Sequence, residues 1–257
     1  MKWPASVMLI RHDTSAYNIL KDKKNEDALY QEFLRAWRED PASHTTQALA
    51  AKVREKFSLK QGDAKTPLAD KEGRQAYETG LALAKIGAMP DVIFVSPYKR
   101  AKDTLAHIRR GWAALASVKT FEEERVREQE HGLALRYNDW RVFQALNPEQ
   151  RELRELEGPY WYRYPQGENV PDVRARNRSF LTTLTRDWTE RRVLIITHHL
   201  NILAMRANLE RLSATRFIHL DESEKPINCG VTLYRGYPKR GADGRLVLEF
   251  YNKKYYR

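Results

Sequence analysis

The sequence has one cysteine, Cys229, in 257 residues, and it has no long hydrophobic run. A single cysteine excludes an intrachain disulfide and a cysteine-rich metal site. No stretch reaches the roughly 18 apolar residues that a membrane helix needs. The apolar start at residues 1–10 is too short for a signal peptide and is followed at once by Arg11. We therefore expect a cytoplasmic globular protein with no membrane partner.

Positive charge is the unusual bulk property, with 45 Lys and Arg against 34 Asp and Glu, for a net charge of +11. This balance favours an anionic partner, either nucleic acid, an acidic membrane surface or a phosphorylated small molecule. The basic residues are spread along the chain and form no compact motif. Composition alone does not choose among these partners, although the lack of a compact basic motif makes nucleic acid the weaker alternative.

Short apolar runs alternate with helical patterns along the chain. Apolar runs typical of strands covered on both faces occur at residues 5–10, 92–95 and 193–197, with further strand patterns at 231–234 and 246–250. Helical spacing occurs at residues 72–86, 97–111 and 173–188, and again from Leu200. This order predicts an α/β three-layer sandwich, in which helices flank a mostly parallel central sheet.

Two segments interrupt the alternation within what we predict to be a single domain, residues 1–257. Residues 19–65 have the pattern of two amphipathic helices separated by Pro41. Residues 137–165 are rich in Trp, Tyr, Arg and Glu. We predict that both are insertions at the carboxyl edge of the sheet, the helical one acting as a lid. Solvent-facing decoration fits the same patterns equally well.

Cationic side chains follow three of the predicted strands. Arg11 and His12 come after the first strand, Arg100 lies shortly after the second, and His198 and His199 come after the third. Ligands of open α/β sheets bind beyond the carboxyl ends of the strands. One histidine at a strand end is usually structural, but several converging cations predict a site for an anion.

Seven segments resemble, in the family's order, landmarks of the histidine phosphatase (phosphoglycerate-mutase-like) superfamily. They are residues 9–18, 66–73, 96–101, 127–132, 162–168, 197–199 and 228–233. The resemblance implies a phosphomonoester hydrolase that acts on a small phosphorylated substrate through a phosphohistidine.

The resemblance implies a role for each of five catalytic residues. His12 would attack phosphorus as a neutral imidazole, and Arg11 and Arg100 would hold the phosphoryl oxygens with forked hydrogen bonds. His198 would add a donor, and Glu128 would protonate the leaving group. Because these charges neutralise the phosphoryl group, we expect no metal and no other cofactor. The sequence also has no Asp-x-Asp pair and no Gly-x-x-x-x-Gly-Lys loop.

The predicted substrate contacts are Asn18, Asp13, Arg163, Tyr164, Glu168 and His199. Asn18 matches the position of the family's phosphate-pocket asparagine. Asp13 and His199 stand where the family has glycines, and Asp and His tolerate positive φ better than most residues. For Arg163, Tyr164 and Glu168, a packed loop is as good an interpretation as contact with the leaving group.

Three alternatives remain at this point. A mutase would share the same five catalytic residues, although segments 163–168 and 228–233 favour hydrolysis. A nucleic-acid-binding or regulatory protein on the same scaffold would explain the charge. Cys229 and Arg235 have the spacing of the cysteine and arginine of a cysteine phosphatase, but the apolar residues between them recur at every second position, as in a β-strand. Substrate identity is left open, and so is a homodimer.

Overall fold

The computed structural model describes residues 2–87 and 89–257. In this part of the chain the strands are β1 (Ser6–Arg11), β2 (Val92–Val95), β3 (Thr120–Glu122), β4 (Arg192–Thr197), β5 (Val231–Tyr237) and β6 (Arg245–Lys253). The α-helices are α1 (Ala16–Glu26), α2 (Ala28–Glu39), α3 (His44–Phe57), α4 (Arg74–Ile86), α5 (Lys99–Gly111), α6 (Trp140–Ala145), α7 (Pro148–Glu157), α8 (Val170–Asp187), α9 (His199–Glu210) and α10 (Ala214–Ser223). Short 3₁₀ helices occur at Asp63–Lys65, Ala113–Ser117, Glu124–Val126 and Gly132–Tyr137.

All six strands belong to one sheet, in the order β3-β2-β4-β1-β5-β6. The first four run parallel, and β5 and β6 are antiparallel additions beside β1. In the register of the parallel strands, Ile196 of β4 lies between Ile10 of β1 and Val95 of β2. The carboxyl ends of β1, β4 and β2 are therefore neighbours at the same edge of the sheet.

Both faces of this sheet are buried, which explains the continuous apolar runs. Phe94 and Ile195 belong to the core cluster that includes Phe180 of α8. Their neighbours Ile93 and Ile196 belong to the opposite cluster, with residues of α4 and α5. Each fully buried side chain of this size stabilises the fold by about 1.5–3 kcal/mol. The predicted three-layer α/β architecture with a mostly parallel sheet is confirmed.

The chain divides into two compact units, and the first contains the sheet. It consists of Met1–Ser15, Ala64–Glu128 and Asp172–Arg257, and the second consists of Ala16–Asp63 and Gln129–Pro171. The residues of the second unit are largely those that the sequence analysis assigns to two insertions. No helix in the described part of the chain combines the length and the apolarity needed to cross a lipid bilayer.

The second unit has a core of its own, in which Phe33 of α2 and Val53 of α3 are fully buried. A buried ion pair stabilises it, because Lys24 Nζ lies 2.8 Å from Asp139 Oδ2 and also donates to the Asn138 carbonyl at 2.6 Å. The segment predicted to hold two helices holds three. The additional one, α1, has three Lys among its eleven residues and no long apolar stripe that would show as a helical periodicity.

Candidate active site

The ends of three neighbouring strands bring the predicted cationic residues together. Arg11 is the last residue of β1, Arg100 lies in the first turn of the helix that follows β2, and His198 directly follows β4. The His12 amide donates to the Thr197 carbonyl at 2.9 Å, which ties the first strand end to the third. Arg100 Nε donates to His12 Nε2 at 3.2 Å. The His12 and His198 ring centroids are 5.1 Å apart.

His12 is a neutral imidazole in a defined tautomer. Its Nδ1 lies 2.7 Å from the Asp13 carbonyl oxygen, which can only accept a hydrogen bond. Nδ1 therefore carries the proton, and Nε2 carries a lone pair. Burial, followed by the positive charges of Arg100 and Arg11, holds the pKa of His12 well below its usual value. At 3.2 Å, the bond from Arg100 to Nε2 is longer than a typical N–H donor bond.

His198 is fully buried beside His12, and Ser96 orients its ring. His198 Nε2 lies 2.7 Å from Ser96 Oγ, while its Nδ1 has no hydrogen-bond partner among residues 2–87 and 89–257. The Tyr98 amide donates to the same Ser96 oxygen at 3.3 Å, and the Ser96 hydroxyl can still donate its own proton to Nε2. In the tautomer in which Ser96 donates, Nδ1 carries a proton that it can give to an anion. Burial and the charge of Arg100 hold the pKa of His198 well below its usual value.

Arg11 brings an incompletely bonded guanidinium to the same place. It donates from Nη1 to the Pro226 carbonyl at 2.6 Å, but its buried Nε has no partner within the described residues. Burial is the largest cause that lowers the pKa of Arg11, and the nearby Glu128 carboxylate opposes it. Arg100 is only 4% exposed. Two largely buried guanidiniums and a buried imidazole donor form a site suited to a phosphoryl group.

Glu128 lies at the N-terminus of α9, where its side chain caps the helix. Glu128 Oε1 accepts the Leu200 amide at 3.2 Å, and Leu200 is in the first turn of that helix. His198, the N-cap residue of the helix, makes no side-chain capping bond. Glu128 therefore supplies the missing cap.

Polar side chains that had not been predicted from the sequence hold the backbone from Arg125 to Glu128. Arg176 donates to the carbonyls of Arg125 at 2.7 Å and of Glu128 at 3.0 Å. Asn201, fully buried, donates to the carbonyls of Arg125 and Arg127 at 3.2 Å. Both Arg176 and Asn201 lie on helices far along the chain from Glu128, so no local sequence pattern predicts these contacts.

The residues in place of the family's glycines have protein partners. The Asp13 carboxylate accepts the amides of Thr14 at 2.6 Å and Ala76 at 3.0 Å, and burial raises its pKa. His199 Nε2 lies 2.8 Å from Asp221 Oδ1. The residues with positive φ in the described part of the chain do not include Asp13 or His199. Neither Asp13 nor His199 therefore adopts the positive φ that these residue types would tolerate.

The other predicted substrate contacts lie in the second unit. Asn18 is half-buried on α1, and Arg163 is exposed. The Tyr164 ring packs edge-on against His131, with centroids 5.6 Å apart. Glu168 Oε2 accepts the Glu130 amide at 3.1 Å. Tyr164 and Glu168 are thus part of a packed loop, and contact of these four residues with substrate stays a prediction.

The structure argues against the cysteine-phosphatase alternative. Burial, reinforced by the nearby Asp13 carboxylate, raises the pKa of the Cys229 thiol well above its usual value. A nucleophilic cysteine needs the opposite shift. Between Cys229 and Arg235, residues 231–234 belong to β5 instead of a loop that could wrap around phosphate. Separately, the described residues contain no group of three or more His, Cys, Asp and Glu side chains arranged to hold a metal ion.

Comparison with known protein families gives one match over most of the chain. A family model described as "Histidine phosphatase superfamily (branch 1)" matches residues 44–242. A curated relative, phosphoglycerate mutase-like protein AT74 of Arabidopsis thaliana, is 34% identical over 149 residues, which is 55% of this chain and 45% of that protein. Phosphoglycerate mutase-like protein AT74H of the same plant is 33% identical over 135 residues, 49% of this chain and 46% of that protein. The matched region spans about half the length of these relatives.

Solved structures share the whole fold. The chain superposes on mycobacterial hydrolase 1 with a TM-score of 0.66 and 21% identity, covering 97% of this chain and 99% of that one. For the complex of mycobacterial glucosyl-3-phosphoglycerate phosphatase with inorganic phosphate, the TM-score is 0.62 and the identity 19%, covering 97% and 98%. For a phosphoserine phosphatase variant of Entamoeba histolytica in complex with phosphoserine, the values are 0.62 and 16%, covering 97% of each chain. At such identities the likeness establishes the fold.

Proposed function

The chain belongs to the histidine phosphatase superfamily, and from this membership we propose that it hydrolyses a small phosphomonoester through a phosphohistidine on His12. The observation that carries the proposal is the state of this side chain. Its imidazole is neutral, Nδ1 is occupied by a backbone carbonyl, and the Nε2 lone pair lies beside two buried guanidiniums. A nucleophile beside anion-binding donors is the arrangement that phosphoryl transfer requires.

In the first step, the Nε2 lone pair of His12 attacks phosphorus, and the bond from phosphorus to the leaving oxygen breaks. Arg11, Arg100 and the Nδ1–H of His198 bind the phosphoryl oxygens as charge redistributes. Glu128 in its protonated form gives its proton to the departing oxygen, which leaves as an alcohol. By analogy with oxyanion donors, loss of either arginine slows this step by about 10²–10³-fold.

In the second step, water replaces the alcohol. The Glu128 carboxylate accepts a proton from the water, whose oxygen attacks phosphorus as the nitrogen–phosphorus bond breaks. Inorganic phosphate leaves, His12 is again neutral, and Glu128 again carries a proton.

A phosphoglycerate-mutase-type transfer is the second candidate. It is supported by the names of the two curated relatives, both described as phosphoglycerate mutase-like. Such an enzyme would use the same five residues and return the phosphoryl group to an alcohol instead of water. The solved relatives named as phosphatases support hydrolysis.

The test measures phosphate release from an aryl phosphate and from a phosphoglycerate, with chemical trapping of an acid-labile phosphoenzyme. We expect wild type to release phosphate and to form the phosphoenzyme, and His12→Ala to do neither. His44→Ala, which removes an exposed histidine of α3, is the matched control and should behave like wild type. Turnover by His12→Ala would refute the mechanism. Transfer between positions of the phosphoglycerate without release would favour the mutase.

A further inference from the structure

A single peptide group is bonded on one side by His12 and on the other by the side chain of Asp13. The peptide that links Asp13 to Thr14 offers its carbonyl to His12 Nδ1–H at 2.7 Å. Its N–H donates to Oδ1 of Asp13 at 2.6 Å. The carboxylate therefore fixes the plane of the peptide whose oxygen sets the protonation of His12.

The second carboxylate oxygen ties the same residue to a helix. Asp13 Oδ2 accepts the amide of Ala76, the third residue of α4, at 3.0 Å. The N-cap residue of α4 is Gly73, which has φ of 55° and no side chain to cap the helix. Asp13 thus serves as a distant cap, and the helix dipole favours its ionised form within a buried site.

The main chain of Asp13 is held as well. Its amide donates to Thr104 Oγ1 at 2.9 Å, and that hydroxyl donates in turn to the Arg100 carbonyl at 2.6 Å. Asp13 is therefore fastened to α4 through its side chain and to α5, the helix that carries Arg100, through its amide. The Asp13 side chain is only 2% exposed, and its two oxygens already accept backbone amides.

We propose that Asp13 is a positioning residue that keeps His12 in the tautomer with Nδ1 protonated and Nε2 unprotonated. Its importance for catalysis rests on the proposed function, in which Nε2 is the nucleophile. The tautomer itself is a property of the resting protein. Loss of a supporting partner of this kind lowers activity by about 10–100-fold in metal sites, and we expect a similar fall in kcat with little change in KM.

The main variant is Asp13→Asn, which keeps the shape of the side chain and replaces one acceptor oxygen by an NH₂ donor. That donor must face one of the two amides, so one of the two bonds is lost. Asp13→Ala removes both bonds and keeps the test possible if the first variant does not fold. Asp70→Asn is the matched control. Asp70 accepts the amides of Glu72 and Arg74 at the same end of α4, at 2.9 and 3.2 Å, but makes no bond to the peptide that orients His12.

The primary measurement is the tautomer of His12, read from the ring-nitrogen shifts of protein labelled with ¹⁵N-histidine. The chain has seven histidines, and comparison with His12→Gln assigns the signal. We expect distinct protonated Nδ1 and unprotonated Nε2 signals in wild type and in Asp70→Asn. In the Asp13 variants these signals should move toward each other as the tautomers mix, and kcat should fall.

The outcomes separate this inference from the proposed function. If both Asp13 variants keep the wild-type nitrogen shifts, the inference is overturned even when phosphatase activity is present. If the shifts change as expected but the wild-type protein releases no phosphate from any phosphomonoester, the positioning role stands and the proposed function fails. A change of equal size in Asp70→Asn would show that α4 acts as a whole, and would also overturn the inference.

Discussion

Two buried histidines make the stability of this protein depend on pH in a defined direction. Burial is the main reason that the pKa values of His12 and His198 lie well below 6.5, and the charge of Arg100 adds to it. Both histidines therefore stay neutral in the folded state at a pH where they are protonated in the unfolded chain, in which their pKa is about 6.5. Below that pH the unfolded chain binds more protons, so the free energy of unfolding falls as pH falls.

The size of the effect follows from the proton count. Each histidine contributes at most about 1.36 kcal/mol per pH unit. Between pH 7.5 and 5.0, a histidine that stays neutral in the folded state lowers the free energy of unfolding by about 2 kcal/mol, and the pair by about 4 kcal/mol. These amounts are a large part of the roughly 5–15 kcal/mol that stabilises a domain.

The assay is urea unfolding at a series of pH values in buffers free of phosphate and sulfate, compared between wild type and variants. Between pH 7.5 and 5.0, the free energy of unfolding of His12→Gln should fall by about 2 kcal/mol less than that of wild type, whatever the stability of the variant at pH 7.5. His44→Gln, which removes an exposed histidine, should follow the wild-type curve. Inorganic phosphate should flatten the wild-type curve, because a bound anion favours protonation of the imidazoles. Parallel curves for wild type and His12→Gln would refute the reasoning.

Three further substitutions test the supporting contacts and the proton donor. Ser96→Ala removes the partner of His198 Nε2, so kcat should fall about 10–100-fold while circular dichroism stays unchanged; full activity would show that the hydroxyl does not orient the ring. Glu128→Gln should slow hydrolysis of alkyl phosphates by about 10²–10⁴-fold and of aryl phosphates much less, because good leaving groups need no proton; equal losses would argue against a general acid. Asn201→Ala removes the donor to the Arg127 carbonyl and one of two donors to the Arg125 carbonyl, so it should lower the free energy of unfolding in urea by about 1–3 kcal/mol. It should also reproduce part of the leaving-group dependence of Glu128→Gln, and the same loss for every leaving group would separate Asn201 from the positioning of Glu128.

The fold could be predicted from the sequence because its central strands are covered on both faces. Burial on both faces makes residues 92–95 and 193–197 continuous apolar runs, and the family match confirms the resemblance drawn from the seven segments. β3 was missed, because three partly exposed residues at the edge of the sheet produce no pattern. The helix after β2 was predicted to begin at Pro97 but begins at Lys99, after the Tyr98 amide has bonded to Ser96 Oγ.

The site could be predicted only as far as strand ends determine it. Adjacent parallel strands place Arg11, His12 and His198 together without any knowledge of side-chain partners. The side-chain contacts that hold the site residues in place could not be predicted, because they join residues far apart in the chain. His198 meets Ser96 across 102 positions. Asp13 accepts an amide from α4 across 63 positions. Hydrogen bonds of this kind leave no trace in periodicity or spacing, and the lid role of the insertions stays a prediction.

The charges of the site also explain why the imidazoles must be neutral. Arg11 and Arg100 carry two positive charges, which match the two negative charges of a phosphomonoester. Protonation of His12 and His198 would add two more charges, bind phosphate far more tightly and remove the lone pair that attacks phosphorus in the proposed mechanism. Burial beside the guanidiniums prevents this, because it costs free energy to place a further charge there. The predicted pH dependence of stability is thus a consequence of the same electrostatic arrangement that keeps the proposed nucleophile unprotonated.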